Sequence, residues 1–161
     1  MHVAIARRVR ADPDTLFRLV AAVEDWPRIL PHYRFVRVLR DTGAGQRLVE
    51  MAARRDLLPD LLPSGWFQPF IPLRWTAVQA LEPAGRRITF EHVGGPSRGM
   101  RVAWTFEPES DGRVRVEIHH VFEPAWGVPD AIVRLVVGEY LVNGVAGRTL
   151  RHIARLAEVG S

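Results

Sequence analysis

The sequence lacks two residue types entirely, and one of these absences excludes whole classes of site. None of the 161 residues is cysteine, which excludes disulfides, thiol catalysis, iron–sulfur clusters and cysteine-ligated zinc. None is lysine, so all 22 basic residues are arginine. The arginines are spread along the chain rather than clustered, and we therefore expect no nucleic-acid partner.

Long apolar runs are also missing. No window approaches about 18 uninterrupted apolar residues, because even the stretch 131–146 contains Arg134, Glu139 and Asn143. The N-terminal residues alternate apolar side chains with arginines and lack the apolar core of a secretory signal. The sequence thus predicts no transmembrane segment and a cytoplasmic location.

What is present is the composition of one globular domain. Hydrophobic residues make up 47% of the chain and charged residues 25%. A chain of this length buries roughly 70% of its unfolded surface, so it needs neither a disulfide nor a metal to fold. With no internal repeat and no low-complexity linker, residues 1–161 are interpreted as a single domain, either monomeric or homodimeric.

The periodicity of apolar residues predicts an α+β fold. A first strand is marked by the alternating apolar residues Val3, Ile5 and Val9. The helix that follows ends near Asp25, and Asp12-Pro13-Asp14 supplies its N-cap, a proline for its first turn and an acidic residue near its start. Prolines around Trp26 leave room for only a short second helix. Six further strands follow at 32–41, 46–56, 72–82, 86–93, 99–108 and 113–123. After Pro129 the period changes to 3.6 up to about Glu158, with Leu150, Ile153 and Leu156 on one face.

This order predicts a seven-stranded curved antiparallel sheet wrapped around a long C-terminal helix. Strand alternation places apolar and aromatic stripes toward that helix, including Trp75, Met100 and Trp104. Four polar residues interrupt the apolar faces: Gln79, His120, Glu139 and Asn143. Since an unpaired buried polar group costs about 1 kcal/mol or more, a hydrated pocket is expected beside them.

The segment 57–71 is irregular, rich in proline and strongly apolar. Its aromatic residues are Trp66, Phe67 and Phe70. We predict that it forms a lid over the mouth of the pocket. A cap on the open end of the sheet and a self-association patch are the alternatives, because surface this apolar is uncommon on a monomer.

Three stretches carry a family resemblance: Val23-Glu24-Asp25-Trp26-Pro27 with Tyr33 seven residues after the tryptophan, Arg74-Trp75-Thr76, and Arg101-Val102-Ala103-Trp104-Thr105-Phe106. In this order of elements they resemble the START-like (SRPBCC, helix-grip) superfamily. The nearest likeness is the polyketide cyclase/dehydrase group, which includes aromatase/cyclases and coenzyme Q-binding proteins. The resemblance implies an elongated cavity between sheet and long helix, open at one end and holding an apolar or aromatic ligand.

In that group the resemblance implies a catalytic tyrosine and arginine. Tyr33 matches the tyrosine, but Gln79 stands at the arginine position and Ala77 at that of a small hydroxyl residue. A neutral amide does not replace a permanent cation beside a developing enolate. The recognisable scaffold therefore retains only half of the catalytic pair.

Our leading hypothesis is a module that binds a polyketide, quinone or lipid-like molecule. The expected ligand contacts are Trp26, Tyr33, Trp75, Gln79, Met100, Trp104, His120, Glu139 and Asn143. One alternative is an aromatase/cyclase or dehydratase with rearranged groups, in which Tyr33 and His120 are catalytic. Another is a protein-interaction module based on the segment 57–71.

The sequence predicts neither a metal nor a cofactor. His119 and His120 are the one adjacent pair of histidines, and on a regular strand their side chains point to opposite faces. They are therefore not expected to bind one metal ion together.

Overall fold

The computed structural model describes residues 1–56, 70–123 and 144–160. The N-terminal strand β1 (His2–Val9) leads into helix α1 (Pro13–Ala21), a single 3₁₀ turn (Val23–Asp25) and the short helix α2 (Trp26–Ile29). The predicted N-cap is confirmed, because the Asp12 carboxylate accepts hydrogen bonds from the Thr15 backbone N–H at 2.8 Å and the Thr15 hydroxyl at 2.9 Å. These bonds, the backbone one foremost, lower the pKa of Asp12.

The remaining strands form one antiparallel sheet with β1. They are β2 (Tyr33–Asp41), β3 (Gln46–Asp56), β4 (Phe70–Glu82), β5 (Arg87–Gly94), β6 (Arg101–Pro108) and β7 (Val114–Val121). The spatial order is β1-β7-β6-β5-β4-β3-β2, so each strand from β2 to β7 pairs with its sequence neighbour and β1 closes onto β7. The predicted α+β fold with a seven-stranded curved sheet is confirmed.

Helix α3 (Gly147–Val159) is the described part of the predicted C-terminal helix. Leu150, Ile153 and Ala154 are buried, whereas Leu156 is 42% exposed. The expectation that Leu156 faces the core is therefore wrong. The buried face follows residues 150, 153, 154 and 157, and position 156 lies to one side of that stripe. None of the helices in the described ranges has the length and hydropathy to cross a bilayer.

Strand β4 begins two residues earlier than predicted, at Phe70. Phe70 pairs with Asp56 and is 40% exposed, so it belongs to the sheet rather than to the predicted lid. The reason is that β3 extends to Asp56 and offers backbone partners there, despite Pro72 in β4. The other predicted lid residues, Trp66 and Phe67, lie outside the described residues.

Candidate ligand-binding site

A cavity of about 70 Å³ lies between the sheet, the start of β2 and the N-terminal end of α3. Six of the residues expected to contact a ligand line it: Trp26, Tyr33, Trp75, Met100, Trp104 and His120. They come from α2 and from strands β2, β4, β6 and β7, together with one residue of the β5–β6 connection. Chain segments far apart in sequence therefore converge on one cavity.

Trp26 stands at the centre of the aromatic lining. Its ring centroid is 5.1 Å from that of Tyr33, 6.1 Å from Phe90 and 6.2 Å from Trp104. The contact with Tyr33 is edge-to-face, at an interplanar angle of 70°. Such packing fixes the ring planes that form the wall, and each aromatic pair contributes about 0.5–1.5 kcal/mol beyond the area buried.

Burial raises the pKa of the Tyr33 phenol, and Thr149 of α3, which lines the same cavity, opposes that rise as the smaller cause. Thr149 also donates to the Val145 carbonyl at 2.9 Å and lies 2.9 Å from Nε2 of the buried His32. Since a hydroxyl has only one hydrogen and that of Thr149 goes to Val145, Thr149 accepts from His32. Tyr33 itself is a neutral phenol in the wall of the cavity.

His92 of β5 forms a second polar group. Its Nδ1 lies 2.6 Å from the Ser97 hydroxyl, and its ring stacks on Trp75 with centroids 5.9 Å apart and planes 13° from parallel. Burial, with a smaller contribution from the charge of His120, lowers the pKa of His92 to about 3. His92 is accordingly uncharged at neutral pH.

His120 of β7 is the third polar group of the lining. It is 5% exposed, and its Nδ1 has no hydrogen-bond partner among the described residues. Burial, followed by the charge of His119, lowers the pKa of His120 to about 4. The indole Nε1–H of Trp26 is likewise buried without a partner in the described part of the chain. Two side chains of the lining thus carry a buried neutral polar atom that has no partner among the described residues.

Gln79 lies apart from this cavity, which differs from the expectation. Its Oε1 accepts from Arg47 Nε at 3.1 Å and from Nη2 at 2.7 Å, while its Nε2 donates to the Ala21 carbonyl at 3.1 Å. Arg47 also donates to Ala21 at 3.0 Å and pairs with Glu24. The physical reason is that the C-terminal end of α1 covers this part of the sheet, so the buried amide is satisfied there rather than by a ligand.

The described residues offer no obvious metal site. No group of three or more His, Asp or Glu side chains is arranged to hold an ion within residues 1–56, 70–123 and 144–160. His119 is half exposed beside Glu117, whereas its neighbour His120 is buried in the cavity. The strand alternation inferred from the sequence places these two rings correctly.

Comparison with known proteins identifies the family. Residues 9–146 match the family described as polyketide cyclase/dehydrase and lipid transport. The chain belongs to this family. A relative from Streptomyces violaceoruber, the granaticin polyketide synthase bifunctional cyclase/dehydratase, is 29% identical over 154 residues, covering 94% of this chain. The match covers only 42% of that relative, so the chain spans less than half of its length.

Solved structures agree with the fold. The Zhui aromatase/cyclase from Streptomyces sp. R1128 superimposes with a TM-score of 0.75 at 21% identity, covering 98% of this chain and 93% of that one. The di-domain ARO/CYC BexL from the BE-7585A biosynthetic pathway gives a TM-score of 0.67 at 25% identity, covering 96% and 45%. The polyketide cyclase/dehydrase family thus shares the sheet and helix described above.

In this member of the polyketide cyclase/dehydrase family, the predicted aromatic contacts line the cavity and Gln79 does not, while their contact with a ligand stays a prediction. Glu139 and Asn143 lie outside the described residues. His92 was missed although it alternates with Ile88 and Phe90 on the buried face of β5, a signal that was present in the sequence. Ser97 lies in a connection between strands, where no periodicity marks it.

Proposed function

We propose that this chain binds a flat, uncharged aromatic small molecule of the polyketide or quinone kind between its sheet and its C-terminal helix. The observation that carries the proposal is a cavity walled by Trp26, Trp75 and Trp104 whose described lining contains no charged side chain at neutral pH. Indole rings offer broad faces and edges to an aromatic ligand. Family membership and the granaticin relative support the same ligand class.

The electrostatics of the cavity favour neutral over ionic ligands. His92 and His120 are held uncharged, and the guanidinium of Arg47 is engaged by Gln79, Glu24 and Ala21 away from the lining. A carboxylate entering this volume would lose its hydration without finding a counter-charge among the described groups. A neutral ring system avoids that cost.

The proposal is tested by titrating the protein with naphthalene and 1,4-naphthoquinone while following tryptophan fluorescence. We expect saturable binding, because three tryptophans border the site. Val102→Phe places a ring inside the lining and should weaken binding by about tenfold or more, on the order of one lost buried side-chain contact. Val93→Phe is the matched control, since Val93 is 41% exposed.

Two results would count against the proposal. One is the absence of saturable binding by any neutral aromatic probe. The other is equal affinity in the Val102 and Val93 variants, which would place the ligand elsewhere. Native mass spectrometry of gently purified protein, with extraction of any bound compound, then identifies the natural ligand.

A second candidate function is dehydrative ring closure of a poly-ketone. The observation that favours it is that Tyr33 and His120, one a phenol and one an unpartnered imidazole, line the same cavity. Aldol closure removes a proton next to a carbonyl, the resulting enolate attacks a second carbonyl, and loss of water follows. His120 would accept the proton and Tyr33 would hydrogen-bond the carbonyl oxygen.

The two functions are separated by turnover measurements. Tyr33→Phe and His120→Ala should abolish turnover of a poly-β-ketone substrate while changing its affinity by less than a few fold, if the chain is a cyclase or dehydratase. Undiminished turnover in both variants would exclude these roles. If the wild-type protein binds the substrate without any turnover, ligand binding remains as its function.

A further inference from the structure

His92 and Ser97 form a buried pair at the wall of the cavity. Ser97 is 2% exposed and His92 is 9% exposed, and the serine Oγ lies 2.6 Å from the imidazole Nδ1. Both residues line the cavity. A hydroxyl and an imidazole nitrogen this close are joined by one hydrogen bond. Either group can be the donor in that bond.

The connection between β5 and β6 holds Ser97 rigidly against His92. The His92 backbone N–H donates to the Met100 carbonyl at 2.8 Å, and the Gly99 N–H donates to the His92 carbonyl at 2.8 Å. Met100 in turn donates to the Ser97 carbonyl at 3.0 Å. Gly95, at φ +88°, lets the same connection lie against β4, where an added Cβ would stand 2.5 Å from the Arg74 carbonyl oxygen.

The direction of the hydrogen bond follows from the serine hydrogen. The only side-chain partner of the Ser97 hydroxyl among the described residues is His92 Nδ1. If the imidazole were the donor, the serine hydrogen would be buried without an acceptor among the described residues, which is unfavourable. Ser97 therefore donates to Nδ1. The hydrogen of the neutral ring then resides on Nε2.

We propose that Ser97 is a positioning residue that holds His92 as the Nε2–H tautomer, so that the imidazole donates a hydrogen bond to an acceptor oxygen of the ligand. This inference rests on the proposed function and refines its ligand class. Nδ1 is occupied by Ser97, so Nε2 is the one polar atom that His92 has left for a ligand.

A neutral donor in an uncharged cavity selects for aromatic ketones and quinones over hydrocarbons of the same shape. A ligand without an oxygen would leave this N–H group desolvated and unpaired. A ketone or quinone oxygen satisfies it and carries no charge that would need a counter-ion. Ser97 thus influences specificity through the tautomer of His92.

The tautomer is tested directly by nitrogen-15 NMR of the imidazole, with the His92 signals assigned through His92→Gln. We expect an unprotonated Nδ1 and a protonated Nε2 in the wild-type protein and in Ser97→Thr, which keeps the hydroxyl. Ser97→Ala should release the tautomer preference. Ser110→Ala is the matched control, because Ser110 is exposed in the β6–β7 turn. A protonated Nδ1 in the wild-type protein would overturn the proposal.

Binding provides the second test, with 1,4-naphthoquinone and naphthalene as a pair of similar shape. The chain has neither cysteine nor lysine, so the usual nucleophiles for quinone addition are absent from it. Ser97→Ala should weaken naphthoquinone binding by roughly tenfold, the equivalent of about one hydrogen bond, and naphthalene binding by less than about twofold. Ser97→Thr and Ser110→Ala should retain the wild-type preference for naphthoquinone.

The outcomes distinguish this inference from the proposed function. Equal losses for both probes in Ser97→Ala would assign a merely structural role to Ser97, and equal wild-type affinities for both probes would reject donor selection while leaving aromatic binding intact. If neither probe binds the wild-type protein, the proposed function itself fails. Should Ser97→Ala not fold, the wild-type tautomer and the wild-type ratio of the two affinities still decide.

Discussion

Mild acid should destabilise this protein through the two histidines of the cavity. His92 and His120 have pKa values lowered from 6.5 to about 3 and about 4, chiefly by burial. The unfolded chain therefore binds protons at a pH where the folded chain does not. The contribution of each histidine to the free energy of unfolding is fully present above about pH 6.5 and falls as the pH drops below that value. The decrease stops near the pKa of that histidine in the folded protein.

The size of the effect follows from the two pKa values. Each pH unit inside the window costs about 1.4 kcal/mol per histidine, so the change from pH 7 to pH 5 removes about 2 kcal/mol for each ring and about 4 kcal/mol for the pair. Domains of this size are stable by only about 5–15 kcal/mol. The loss should be plain in urea unfolding followed by tryptophan fluorescence at a series of pH values.

Variants separate the cavity histidines from other titrating groups. His120→Gln keeps a polar side chain that does not titrate, so about 2 kcal/mol of the acid loss should disappear. The control is His119→Gln, which alters an exposed neighbour whose charge is only the second cause of the lowered pKa of His120. An acid loss in His120→Gln equal to that of the wild-type protein would refute the reasoning.

Three further predictions concern stability. Gly95→Ala should lower the free energy of unfolding by about 2 kcal/mol or more, because the added Cβ would lie 2.5 Å from a carbonyl oxygen. Gly43→Ala is the control and should lose less stability, because no atom lies within 4 Å of its added Cβ. Equal melting temperatures of the two variants would contradict this prediction. Arg47→Gln should lower the free energy of unfolding in urea by about 2–3 kcal/mol, since it leaves the buried Gln79 carbonyl oxygen without its donors. An unchanged midpoint would show that these hydrogen bonds contribute nothing to stability. Asp12→Ala removes the N-cap of α1 and should lower the urea midpoint in the same assay, with Asp12→Asn retaining most of the stability.

Local pattern was sufficient for most of the secondary structure. The alternation of β7 separates the exposed His119 from the buried His120, and the N-cap at Asp12 fixes the start of α1. Each of these features depends on residues within a few positions of one another. For that reason they can be predicted from one sequence. The family resemblance carried by Trp26 and Tyr33 then predicted how these elements are arranged in the fold.

What the sequence by itself determined is which residues are buried on each element, because strand and helix periods report the side of the element and nothing more. Only the tertiary structure decided what those buried residues meet. Gln79 points inward as expected, yet it binds Arg47 and Ala21 under the end of α1 instead of a ligand. His32 meets Thr149 across 117 positions of the chain. Such partners depend on how helices pack on a curved sheet, and packing is a property of the whole core rather than of any local pattern.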